Sequence, residues 1–133
     1  MNLRVGDFMT EISMVRGDTL QLSINSIKTQ DGEDYILSDT DVIYVDVKKY
    51  QGDKTPVFTK SVTADDYVNG ALPITIFPDD TADLDVGEYF FDVRLFINDN
   101  NIYTIVPMTR LKIVRNITDI PAVIDGGGGN VIS

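Results

Sequence analysis

The stretch DDTADLDVGEYFFDVRLFI, Asp79–Ile97, decides the fold class of this chain. It opens as an acid-rich loop, turns at Gly87, and then alternates Tyr89, Phe91, Val93, Leu95 and Ile97 with Glu88, Phe90, Asp92, Arg94 and Phe96. Successive side chains of a strand point to opposite faces. The first set is therefore read as a core face, and the second as facing outward or onto a neighbour. No other segment offers so long an alternation with so much aromatic weight, so the spacing predicts the central strand of an all-β domain.

Shorter strand signals lie on both sides of it. Upstream, Leu20, Leu22 and Ile24 share one face, as do Ile43, Val45 and Val47, and then Leu72, Ile74 and Ile76. Between them sit turn signals at Arg16-Gly17-Asp18, Asp31-Gly32, Ser38–Asp41 and Gln51–Lys54. Pro73 predicts an edge or a strand start for its run, and Thr63 is placed to cap a single helical turn. Downstream, Asn98–Asn101 reads as a hairpin link, Ile102–Val106 returns, Pro107 is expected to interrupt, and Thr109–Val114 closes the domain. Seven to eight short antiparallel strands with regular turns and no useful helical period predict an immunoglobulin-like β-sandwich over residues 1–116. Residues 117–133 read as an irregular arm containing Pro121 and four consecutive glycines. Its apolar residues Ile117, Ile120, Pro121, Val123, Ile124, Val131 and Ile132 are candidates for docking onto a partner.

Composition narrows the chemistry. The 133 residues contain no cysteine and no histidine, which removes disulfides, thiolate metal sites, thiol nucleophiles and the commonest general base. A formal net charge of −10 argues against a nucleic-acid or anionic membrane partner and favours solubility or docking onto something basic. The N-terminus lacks the basic-then-apolar run of a signal peptide, and no segment approaches the length of a membrane span.

Few motifs rise above background. Arg16-Gly17-Asp18 matches a tripeptide read by integrins, but a glycine turn entering a strand accounts for it. The acids Asp79, Asp80, Asp83, Asp85 and Glu88 could supply calcium ligands, yet Gly87 comes too early for an EF-hand loop. The pair Asp65-Asp66 is less specific still, and Asn116-Ile117-Thr118 matters as a glycosylation sequon only in a secreted eukaryotic protein. With 21 acids some carboxylate pair at glycosidase spacing is nearly inevitable. No nucleophile motif or phosphate-binding loop accompanies one, so the chain is read as non-enzymatic and cofactor-free. Asp85-x-Gly87-x-Tyr89 looks like a tyrosine corner, in which a Tyr hydroxyl returns to upstream backbone; an ordinary glycine turn into an aromatic strand is the alternative.

The order of these signatures carries a family likeness. It comprises Arg16-Gly17-Asp18-Thr19, Tyr35-Ile36-Leu37, Val45-Asp46-Val47-Lys48-Lys49, Ile76–Leu84, Gly87–Val93 and Tyr103–Pro107. Over roughly residues 12–118 it resembles the small immunoglobulin-like virion proteins of tailed bacteriophages. These include the N-terminal domain of baseplate upper proteins and modules of fibres attached to phage heads. The resemblance implies a non-enzymatic anchoring or accessory module of head, neck, tail or baseplate. It further implies virion proteins as partners, homo-oligomerisation, and assembly in the bacterial host cytoplasm. A sandwich that binds carbohydrate or a host receptor through Tyr44, Tyr50, Phe90 and Phe96 is the alternative from another class.

Overall fold

The computed structural model describes residues 3–6, 10–98 and 100–116. Among them are nine strands: β1 (Leu3–Val5), β2 (Glu11–Val15), β3 (Leu20–Ile24), β4 (Ile27–Thr29), β5 (Val42–Lys48), β6 (Phe58–Thr63), β7 (Leu72–Ile76), β8 (Gly87–Ile97) and β9 (Asn101–Val114). Helix is confined to a 3-10 turn at Ala64–Asp66 and one α turn, α1 (Pro78–Thr81). Thr63 caps the first of these by accepting from the Asp65 N–H, while Asp66 accepts from the Thr63 N–H.

β8 pairs antiparallel with β5 and β9 at the centre of a five-stranded sheet ordered β2-β9-β8-β5-β6. The opposing layer consists of the β1-β4 and β3-β7 pairs, in which β3 and β4 are successive pieces of one chain segment. The chain moves from β3/β4 to β5 and β6, back to β7, and again to β8 and β9. This alternation between layers is the immunoglobulin-like sandwich arrangement. One pairing departs from the antiparallel expectation: β2 runs parallel to β9. The N-terminal segment divides between the layers, β1 joining β4 and β2 crossing to β9, so the first strand of the large sheet runs alongside the last.

The alternation in β8 places Tyr89, Phe91, Val93 and Leu95 in the core, with Ile43, Val45 and Val47 of β5 and Leu111 and Ile113 of β9 beside them. Leu22, Ile24, Leu72, Ile74 and Ile76 close the core from the other layer. Each such burial contributes roughly 1.5–3 kcal/mol, so this interface supplies most of the stabilisation.

The expected interruption at Pro107 does not occur: β9 runs unbroken through it. Two steps along β8, from Phe91 to Val93, match three along β9, from Thr109 to Val106, and a second shift follows before Thr104. Such bulges leave residues outside the ladder, where the missing N–H of proline costs nothing. They also put consecutive Ile105 and Val106 into the core together. Pro73, in contrast, lies in β7, which pairs with β3 alone.

Candidate docking face

The acidic loop and the Arg-Gly-Asp turn are used in packing against each other. The Gly17 N–H donates to the Thr81 hydroxyl at 2.8 Å, and Arg16 donates to the Leu84 carbonyl at 3.2 Å. Thr81 is wholly buried. Asp80 accepts from the Phe77 N–H at 2.7 Å and pairs with Lys60 at 2.5 Å. The loop carboxylates therefore do not converge; among the described residues no group of three or more Asp, Glu, His or Cys side chains is placed to hold a metal ion.

At the start of β8, Gly87 has φ +141°, a backbone conformation that L side chains rarely adopt. The buried Tyr89 sends its hydroxyl back to the Asp85 carbonyl at 2.7 Å, and Lys49 lies 4.6 Å from the centre of its ring. Asp85, Gly87 and Tyr89 thus tie the loop after α1 to the central strand. Tyr89→Phe is expected to cost about 0.5–1.5 kcal/mol, read as a lowered urea midpoint with an unchanged slope. The apolar arm residues Ile117, Ile120, Pro121, Val123, Ile124, Val131 and Ile132 lie outside the described residues.

The surface with the clearest capacity to bind is the outer face of the five-stranded sheet. Strand register arranges its side chains in rows. Tyr44 sits beside Arg94, Asp46 beside Asp92, Phe90 between Lys48 and Arg110, and Glu88 beside Lys112. Tyr44 and Phe96 meet edge to face, 5.0 Å apart with an interplanar angle of 78°. Arg94 lies over the Phe96 ring at 5.5 Å. Ile102 and Met108 of β9 are about half exposed on the same sheet. Beside the bulge, Asp46, Lys48, Phe90, Asp92 and Met108 line an open recess of about 200 Å³.

Two carboxylates directly opposite one another across a ladder repel, and only Asp46 of this pair has a local partner, the Thr59 hydroxyl at 2.7 Å. Arg110 is held by Glu11 and Glu88. Among the described residues this face holds no group of three or more Asp, Glu, His or Cys side chains placed for a metal ion. It joins exposed aromatic and sulfur-bearing side chains to charges of both signs on a rigid sheet, the mixture that protein interfaces use. The 78° angle and the Arg94 cover leave Tyr44 and Phe96 without the flat stacking platform that a sugar ring requires.

Alternation places Tyr44, Phe90 and Phe96 outward; Met108 and Ile102, to which the sequence reading gave no face, lie on the same side of β9 as the outward Arg110 and Lys112. It also passed over Asp41. That side chain is fully buried before β5, and its Oδ2 accepts from the Tyr35 hydroxyl at 2.5 Å and from the Ser38 N–H at 2.9 Å. The Tyr67 hydroxyl nearby accepts from the Leu37 N–H at 3.1 Å. Burial, and then the Asp41 carboxylate, push the Tyr35 phenol above its usual range.

Among the described residues no helix is long and apolar enough to cross a membrane. No protein-family model matches the chain, and no curated protein matches it. Among solved structures it is similar to murine CRIg, at 12% identity and a TM-score of 0.41, over 80% of this chain and 94% of that one. At that score the likeness carries no weight beside the sheet order. The chain is an all-β, immunoglobulin-like module with a face suited to protein–protein docking.

Proposed function

We propose that the chain is a structural protein of a tailed-bacteriophage or prophage virion, an anchoring or accessory module of head, neck, tail or baseplate. The observation that carries the docking part is the rigid outer face, with Tyr44, Ile102 and Met108 exposed and Phe96 partly exposed among balanced charges. The virion part is supported by the resemblance of the ordered turn-and-strand signatures from residue 12 to 118. On this reading the module is made in the host cytoplasm, associates with other virion proteins and with copies of itself, and uses the apolar arm 117–133 for attachment.

The test is incorporation into purified particles, read by immunoblot and mass spectrometry. The wild-type chain is expected in particles. Deletion of residues 117–133, and separately Tyr44→Ser with Phe96→Ser, are expected to leave a cooperative thermal transition but to abolish incorporation. Absence of the wild-type chain from particles overturns the virion reading, and specific binding on a glycan array would favour the carbohydrate alternative. Normal incorporation of the truncation overturns the role of the arm, and normal incorporation of the double variant overturns that of the face.

A further inference from the structure

We propose that the outer face of the five-stranded sheet is a self-complementary contact between two copies of this chain. The inference rests on reading that face as a docking surface and adds the identity of what docks. Three of the sheet edges, β7, β2 and β6, offer poor routes to association. β7 carries Pro73, which lacks a donor, and β2 is only five residues long. On the edge strand β6, Lys60 shares the inward side with Phe58 and Val62, pairs with Asp80 and lies over the Phe77 ring. Proline, short edge strands and inward-pointing lysines are the features by which sheets prevent strand addition.

The charge of the face points to a second copy rather than to a basic partner. Its strand residues include four acids, Glu11, Asp46, Glu88 and Asp92, against four bases, Lys48, Arg94, Arg110 and Lys112. The whole of the chain's −10 therefore lies elsewhere. Two acidic copies repel least when these neutral faces meet. A strongly basic partner would find its complement in the acids that lie off this face.

The pattern within the face is also self-matching. The Asp46–Asp92 row lies between the Tyr44–Arg94 row and the Lys48–Phe90–Arg110 row. Asp92 and Lys48 have no ion-pair partner among the described residues. Alternate residues of a strand are about 7 Å apart. A two-fold axis passing between the acid row and the Lys48 row sets each copy's acids against the other's Lys48, as an isologous contact requires. The axis then crosses the recess lined by Phe90 and Met108, which each copy fills with the other's exposed side chains. The face measures about 25 Å across its strands and about 30 Å along the central ones, close to the ~800 Å² per partner of a stable specific interface.

Sedimentation equilibrium of the purified full chain, from micromolar to millimolar concentration, tests this. The wild type is expected to dimerise. Lys48→Glu, and separately Asp46→Lys with Asp92→Lys, are each expected to raise the dissociation constant about tenfold or more. An equimolar mixture of the two variants is expected to recover the wild-type affinity as a heterodimer. Far-UV circular dichroism and thermal melts check that both variants fold; if the double substitution does not, Asp92→Lys alone replaces it in the mixture. A monomeric wild type overturns the proposal, as does a dimer that neither variant weakens, or a mixture that fails to recover. A monomer that still enters particles overturns the dimer alone, and a dimer absent from particles overturns the virion reading alone.

Discussion

Truncating Leu95 to alanine is expected to lower the unfolding free energy by about 2–5 kcal/mol, a large share of the roughly 5–15 kcal/mol of an ordinary domain. Leu95 is 0% exposed, lies near the C-terminal end of β8, and is flanked across the ladders by Ile43 and Tyr103. Removing its branched end loses transfer free energy and leaves a cavity that two hydrogen-bonded neighbours prevent from collapsing. Urea unfolding should show a lower midpoint with an unchanged slope. Phe96→Ala, one residue away on the outer face, should cost no more than about 1.5 kcal/mol, since it loses a partly exposed aromatic contact. If Phe96 proved the costlier site, the assignment of core and docking faces would be inverted.

Asp41 provides the second large effect. Asp41→Ala removes the oxygen that accepts from both Tyr35 and Ser38, leaving two donors without a partner in a closed site, and is expected to cost about 2–4 kcal/mol. Asp41→Asn keeps an oxygen for both donors. Its NH2 replaces Oδ1, the one buried side-chain oxygen or nitrogen without a partner among the described residues. That variant should lie within about 1 kcal/mol of wild type, so comparing the two separates the hydrogen bonds from the charge.

Tyr35 adds a pH dependence to the same network. Its folded-state pKa is raised above the unfolded value near 10, chiefly by burial and then by Asp41. A raised pKa means the folded state holds the proton more tightly. The associated stability is fully present below about pH 10 and is lost as pH rises through the higher folded value. Tyr35→Phe should abolish this part of the alkaline loss. Asp41→Asn should move the phenolate absorbance transition toward lower pH.

How much of this was legible without the tertiary structure can be judged residue by residue. Tyr89, Phe91, Val93 and Leu95 announce their inward placement because a period of two is a local property of an extended chain. Gly87 announces a turn, Thr63 a cap and Pro73 an edge, each through backbone chemistry confined to a few residues. Pro107 misled because its effect on a strand depends on whether its position lies in the ladder. The β8–β9 register places it in a bulge.

The parallel β2–β9 pairing, the tie between Gly17 and Thr81, and the burial of Asp41 join residues far apart in sequence or turn a side chain inward from a polar corner. No local pattern encodes them. The functional face divides along the same line. Tyr44, Phe90 and Phe96 are outward by alternation alone. Only cross-strand register sets Asp46 against Asp92 and Tyr44 beside Arg94.

The amino-acid sequence by itself determined the class of the domain and the side of each main strand that is core, because burial of alternating apolar residues dominates folding. Tertiary structure decided which rows of charge and aromatic lie next to one another, because strand pairing fixes neighbours at about 5 Å that may be tens of residues apart along the chain.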